Sequence, residues 1–223
     1  MNLSIILLSG GKGKRIGGDT PKQYLPLCGK PIAHYSFTTL IDANVADEII
    51  VVCDPSYQSL FPGATFAQPG KERQDSVYNG LQKVSSNSDL VLIHDIARPI
   101  LREEELHAVI KQAKIHGAAT LAMPLKFTIK EADEDQMVVK TLDRSKLYEI
   151  QTPQVLKKDL LIEGFKKAHE ENALVTDDVS LAELISHPVK LVMGSYDNIK
   201  ITTPEDLTFA ENILCERSLA CKL

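Results

Sequence analysis

An α/β chain built on a mainly parallel sheet is the fold class this sequence predicts, and three observations carry it. Short apolar runs rich in β-branched residues recur along the chain, segments with helical hydrophobic spacing lie between them, and a glycine-rich turn directly follows the first run. Runs of this kind are expected for strands covered on both faces. With 223 residues, 43% of them hydrophobic, the chain can bury a sizeable core and is expected to form a single domain over 1–223.

Each element follows from its local pattern. The predicted strands are Leu3–Leu8 (LSIILL), Ile49–Cys53, Leu90–His94, Ala119–Met123 and Val189–Met193. Glu103–His116 is the best-defined helix: Leu106, Val109, Ile110 and Ala113 form one stripe, three glutamates face the positive end of the dipole, and Gly117 stops it. Ser76–Val84 and Lys157–Glu171 carry similar spacing, and Thr203-Pro204-Glu205-Asp206 combines a capping hydroxyl, a first-turn proline and two acids at a helix start. Between Lys126 and Ile150 the alternation breaks. There KEADEDQ separates β-like pieces at Phe127–Lys130 and Val138–Leu142, which predicts a hairpin leaving the sheet as an arm, 126–150.

Charge and cysteine content narrow the function classes. The formal net charge of −5 opposes a surface built to displace counterions from a nucleic acid. The apolar run Leu3–Leu8 is far shorter than a membrane span and lacks a preceding basic segment. Cys28, Cys53, Cys215 and Cys221 form neither CxxC pairs nor metal-ligand spacings with histidine, so reduced thiols and a cytoplasmic location are expected, with neither nucleic acid nor membrane as partner.

Positive charge is instead local, in SGGKGKRIGGDTPKQYL, residues 9–25. Glycine lets backbone N–H groups encircle an anion, and lysine and arginine add formal charge, so phosphate binding is the leading reading. A Walker A loop fails, because Gly13-Lys14 is followed by Arg15 and leaves no hydroxyl for a metal. Gly11, Gly13 and Gly17 give GxGxxxG, a loose form of the dinucleotide fingerprint, which keeps an NADP-dependent reductase open. Lys12, Lys14, Arg15 and Lys22 exceed the cation that a diphosphate at a helix terminus requires; a solvated turn is the remaining alternative.

The loop, with the PKQ that ends it, resembles the signature of sugar-nucleotide nucleotidyltransferases, which implies a Rossmann-like nucleotidyltransferase fold. GKERQDSVYNGL (70–81), HDIARP (94–99), LDRSKLYEIQTPQ (142–154), VTDDVSL (175–181) and DNIKITTPEDL (197–207) are similar, in order and spacing, to the 2-C-methyl-D-erythritol 4-phosphate cytidylyltransferase family. Ribitol-5-phosphate cytidylyltransferases share the loop, HD-x-x-RP, TPQ and NIK-x-T. The Arg-x-x-Ser-Val pattern and VTDDVS tip the choice toward the methylerythritol enzymes.

The resemblance implies transfer of CMP from CTP to a polyol phosphate with release of diphosphate, aided by Mg²⁺ or another divalent cation whose protein ligands the sequence leaves unknown. Arg15, Lys22 and Lys200 match the catalytic cations. CTP binding is expected from Ser9, Gly10, Gly11, Gly13, Arg15, Lys22, Gly70, Lys71, Ser76 and Ile96. Asp95, Arg98, Thr128, Arg144, Thr152, Thr176 and Lys200 match substrate contacts, and Arg73 is read as a support for the loop at Gly70. A homodimer is implied, with the arm carrying Thr128 and Arg144 to the neighbour's substrate. Two departures from the family pattern stand out: Phe127 replaces an aspartate before Thr128, and Ser9-Gly10 replaces Ala-Ala. His94 has no chemical task in this reaction and is expected to be a buried, satisfied histidine.

Overall fold

The computed structural model describes residues 1–11 and 20–220. In chain order the elements are β1 (Leu3–Leu8), β2 (Pro26–Leu27), β3 (Lys30–Pro31), α1 (Ile32–Asp42), β4 (Glu48–Val52), β5 (Thr65–Ala67) and α2 (Arg73–Leu81). There follow β6 (Leu90–Asp95), α3 (Glu103–His116), β7 (Ala118–Pro124), β8 (Lys130–Ala132), β9 (Val138–Thr141) and β10 (Tyr148–Lys157). The last are α4 (Lys158–Glu171), α5 (Ser180–Leu184), β11 (Lys190–Met193) and α6 (Pro204–Ala220). No helix among the described residues is long and apolar enough to cross a membrane.

The central sheet has the order β11-β7-β10-β6-β1-β4-β5. Six of these strands run in one direction, and β10 alone runs against them, pairing antiparallel with β6 and β7. The period of two along β1 divides the core. Ile5 and Leu7 face a layer with Phe37 and Leu40 of α1 and Leu106, Val109 and Ala113 of α3. Ile6 faces the opposite layer, with Val77 and Leu81 of α2, Leu161 and Phe165 of α4 and Leu181 of α5. Each fully buried leucine or isoleucine contributes about 1.5–3 kcal/mol, so the sheet is held from both sides.

Four expectations need correction. Helix α2 begins at Arg73 rather than Ser76, because Asp75 accepts the Glu72 N–H at 3.0 Å and closes the first turn there. Strand β10 is absent from the sequence reading: Pro153 and the glutamines at 151 and 154 disguise it. The proline's missing N–H is tolerated because the pairing with β7 shifts register between Ile150 and Gln154. Tyr148–Ile150 therefore pair with β7, and the excursion from the sheet ends before them. Within it, β8 starts at Lys130 instead of Phe127, because pairing with β9 begins at Lys130, opposite Thr141; at its other end Asp133 accepts N–H groups from Asp135 and Met137 in a tight turn. Finally, β11 is an edge strand, largely exposed rather than covered on both faces.

Packing of α5 on α4 leaves no room for a side chain at Gly164. A Cβ on Gly164 would lie 2.6 Å from the Leu181 carbonyl oxygen and 2.7 Å from its Cβ. Gly164→Ala must force these helices apart at a cost of about 1–3 kcal/mol. Thermal unfolding should show a Tm lower by several degrees; an unchanged Tm would mean the two helices are not locked.

Candidate active site

Ligand-binding crevices in open parallel sheets lie beyond the carboxyl ends of the strands. Here β1 and β6 end side by side, Leu8 opposite Asp95, and the Ile96 N–H donates to the Leu8 carbonyl at 3.1 Å. A cavity of about 520 Å³ opens at that point. Its described wall includes the predicted Gly10, Gly11, Lys22, Gly70, Lys71, Ser76, Asp95, Ile96 and Lys200. Gly13 and Arg15, with Lys12 and Lys14, lie outside the described residues.

Asp95 organises the wall. Its side chain is buried between two cations: Arg73 Nε donates to Oδ1 at 3.2 Å, and Lys200 Nζ donates to Oδ2 at 2.6 Å. Burial alone would push the carboxyl up, but Arg73 and Lys200 outweigh it and hold the group well below the usual carboxylate range. The other end of Arg73 forks onto Asp178, with both N···O distances 2.7 Å. Burial pushes the Asp178 carboxyl up, against the opposing pull of the bidentate guanidinium. Arg73 is thus more than the loop support expected of it: it ties strand β6 to the segment before α5.

Gln154 of β10 fixes that segment. Its Oε1 accepts N–H groups from Asp178 at 2.7 Å and Val179 at 3.0 Å, while its Nε2 donates to Asp177 at 3.1 Å. Sequence reasoning missed both Gln154 and Asp178, although each stands in a quoted motif. A polar residue in a strand flanked by apolar ones was the available signal for Gln154.

The glycines have steric reasons. A Cβ on Gly10 would meet Pro69 Cβ at 2.5 Å, and one on Gly70 would meet Asp75 Cβ at 2.1 Å. The Gly70 N–H donates to Ser76 Oγ at 2.9 Å, and Ser76 donates in turn to the Glu72 carbonyl at 3.2 Å. Gln23, given no role of its own within PKQ, is buried below the start of the loop and donates to the Ser9 and Gly11 carbonyls at 2.7 and 2.9 Å. Lys22 Nζ donates to the Ile201 carbonyl at 2.6 Å, which brings the first cationic segment against the last.

Other predicted residues stand elsewhere. Ser9 is buried, with its hydroxyl 2.8 Å from that of Tyr24, and is not part of the cavity wall. Arg98 lies behind the wall and donates to the Asn198 carbonyl at 2.7 Å. Thr152, expected as a substrate contact, is 3% exposed and accepts the Asp95 N–H at 3.0 Å, so it supports the carboxylate from beneath. Thr176 is exposed beside a separate cavity with Asp177, Ser180 and His187. Thr128 is exposed, and Arg144, in a cavity with Lys126 and Asp143, donates to the Lys126 carbonyl at 2.9 Å.

The comparisons with known proteins meet this geometry. The sequence profile described as IspD, 2-C-methyl-D-erythritol 4-phosphate cytidylyltransferase, matches residues 3–216. The chain belongs to the 2-C-methyl-D-erythritol 4-phosphate cytidylyltransferase family. It is 50% identical over 97% of its length to the chloroplastic enzyme of that name from Oryza sativa subsp. japonica, of which the alignment covers 75%. With the enzyme named likewise in Chlamydia abortus it shares 45% identity, across 95% of both chains. The crystal structure of 4-diphosphocytidyl-2C-methyl-D-erythritol synthase from Anaerococcus prevotii superposes with a TM-score of 0.84 at 31% identity, covering 96% of this chain and 98% of that one. The α/β fold with a mainly parallel sheet is the fold of this cytidylyltransferase family, and the reductase alternative is set aside.

His94 makes the site's electrostatics measurable. It is fully buried, Nδ1 lies 3.0 Å from the Thr152 hydroxyl, and Nε2 lies 3.4 Å from the Arg98 carbonyl. Burial, joined by Arg98 and Lys200, lowers its pKa to about 4 against the opposing pull of Asp95. The folded pKa lies below that of the unfolded chain, so this group's contribution is full above about pH 6.5 and is lost as pH falls toward about 4. Its contribution to the slope approaches about 1.4 kcal/mol per pH unit inside that window. Urea unfolding of His94→Gln should show a shallower decline than the parent between these limits; equal slopes would mean that the parent histidine titrates normally.

Proposed function

We propose that the chain transfers the cytidylyl group of CTP to 2-C-methyl-D-erythritol 4-phosphate, releasing diphosphate and 4-diphosphocytidyl-2-C-methyl-D-erythritol in non-mevalonate isoprenoid biosynthesis. The observation that carries this reading is the convergence of Lys22, Lys71, Arg73 and Lys200 on one cavity at the strand ends, bordered by the sterically required Gly10 and Gly70. The substrate's phosphate monoester has its second pKa near about 6, so its attacking oxygen is anionic at neutral pH and needs no general base. The protein's work is to hold two polyanions in line and neutralise the charge that grows on the α-phosphate and the departing diphosphate.

The roles proposed are as follows. Lys22 and Lys200 meet the transferring phosphate, and Arg15, outside the described residues, is assigned with them on the family resemblance. The backbone at Gly10 and Gly11 borders the triphosphate, and Gly70, Lys71, Ser76 and Ile96 border the base. Asp95 accepts from the polyol hydroxyls while orienting Lys200, and Thr152 and Arg98 hold this carboxylate's surroundings. Among the described residues no three His, Cys, Asp or Glu side chains converge as a metal site. Among the described residues Asp95 and Glu72 are the carboxylates of the cavity wall, and both oxygens of Asp95 are engaged by cations. That donor set fits Mg²⁺ or another divalent cation that takes most of its ligands from phosphate and water. Bound there, the ion would offset phosphate charge.

The hairpin is proposed to act across a homodimer of this cytoplasmic enzyme. Phe127, Met137, Val138 and Val139 are each more than half exposed on it, an apolar surface that a second subunit would cover. Thr128 and Arg144 then reach the neighbour's substrate.

Diphosphate release with Mg²⁺, CTP and either methylerythritol phosphate or ribitol 5-phosphate tests the assignment. Turnover should require the former; activity with ribitol 5-phosphate alone would reverse the substrate, and none with either would refute the reading. Lys22→Ala and Lys200→Ala should each lower kcat at least about a hundredfold, as loss of a preorganised transition-state charge does. For the arm, mixing Lys22→Ala with Arg144→Ala protein should restore part of the activity in heterodimers. Silent heterodimers would show that Arg144 does not act across the interface.

A further inference from the structure

Lys22–Tyr24 is a single tight turn, closed by the Tyr24 N–H on the Pro21 carbonyl at 2.9 Å and the Leu25 N–H on the Lys22 carbonyl at 3.1 Å. Its side chains divide between two tasks. Lys22 donates to the Ile201 carbonyl, whereas Gln23 and Tyr24 both donate to the start of the glycine loop. Gln23 is buried, and its Nε2 places both hydrogens on backbone carbonyls, those of Ser9 and Gly11.

Tyr24 reinforces the first of these bonds. Its phenol donates to the same Ser9 carbonyl at 3.2 Å, and with that proton so placed the Ser9 hydroxyl, 2.8 Å away, donates to the phenol oxygen. Tyr57 stacks on the Tyr24 ring, with centroids 3.7 Å apart and planes 11° from parallel, which fixes where the phenol points. Burial pushes the phenol up to about 12, so it stays protonated and able to donate at neutral pH.

A carbonyl held in place decides where the next N–H goes. The Ser9–Gly10 peptide is trans, and a trans peptide points its N–H opposite to its carbonyl. The Ser9 N–H donates to the Val52 carbonyl at the end of β4, at 2.9 Å, so the residue is held by both its backbone groups. The Gly10 N–H is thereby turned away from Gln23 and Tyr24. Gly10 borders the cavity and has no Cβ to screen that N–H.

We propose that Gln23 is a positioning residue for nucleotide binding: with Tyr24 it holds the Ser9 carbonyl so that the Gly10 N–H donates to a phosphate oxygen of the bound nucleoside triphosphate. The inference rests on the cytidylyl-transfer reading of this cavity and gives Gln23 no chemical step. A hydrogen bond to an anionic oxygen is roughly twice as strong as a neutral one, and a peptide already aimed need not be ordered when the ligand arrives. Because Lys22 and Gln23 are consecutive in one turn, the same short segment sets both the lysine charge and the Gly10 N–H against one polyanion.

Gln23→Met tests this, since it is neutral and of similar length but has no donor. Equilibrium titrations use CTP and, followed by NMR, cytidine. CTP should bind the variant about tenfold more weakly than the parent, as loss of an aimed hydrogen bond to an anion implies, while cytidine, which has no phosphate, should bind both alike. In the parent the Gly10 amide proton should move downfield when CTP is added, and in the variant it should not. Where Gln23→Met does not fold, Tyr24→Phe carries the test, with a smaller loss expected for CTP alone. Unchanged CTP affinity, an equal loss for CTP and cytidine, or a parent Gly10 amide that CTP does not move would each overturn the proposal and leave the cytidylyl reading standing. A parent that does not bind CTP would overturn that reading, and this inference with it.

Discussion

The buried carboxylate of Asp95, shared between Arg73 and Lys200, is the interaction on which the cavity depends. Cations gathered to meet a polyanion repel one another before it arrives, and a carboxylate among them relieves that repulsion while fixing their positions. Its energetic logic is that of a buried charge: costly alone, favourable only where hydrogen bonds satisfy both oxygens. Here they do, at 3.2 and 2.6 Å. The Thr152 hydroxyl accepts the Asp95 backbone N–H as well, so strand β10 fixes the residue from below.

The sheet topology makes this arrangement possible. Parallel β1 and β6 deliver the glycine loop and Asp95 to one edge, as parallel strands must. The reversed strand β10 brings Thr152 and Gln154 up from the opposite direction, and Gln154 holds the segment whose Asp178 takes the far end of Arg73. Residues from the first, second and final thirds of the chain thus meet around one carboxylate.

Much of this was legible in sequence because local signals agreed. The alternation of apolar runs and helical stripes predicted the α/β fold, and β1 and α3 were placed with their observed ends. The glycine loop, HDIARP and NIK marked one edge of the sheet, where Gly10, Lys22, Asp95 and Lys200 indeed meet. What escaped depended on long-range contacts. Strand β10 reads as broken because its polar residues are satisfied by partners distant in sequence and its proline sits at a register shift. Arg73 looked like a loop support because nothing near it in sequence reveals Asp178. Thr152 matched a substrate contact by its motif, although it is buried and accepts the Asp95 N–H from beneath.

The central claim is that Asp95 is an ionised carboxylate clamped by two cations before any substrate binds. Titrating the aspartate side-chain carboxyl resonances by NMR in the ligand-free protein tests it directly. The Asp95 signal should stay that of a carboxylate at pH values where ordinary aspartates, with a pKa of about 3.9, have protonated, and should move upward in Lys200→Met. An Asp95 that titrates with the ordinary aspartates, unaffected by loss of Lys200, would contradict the account.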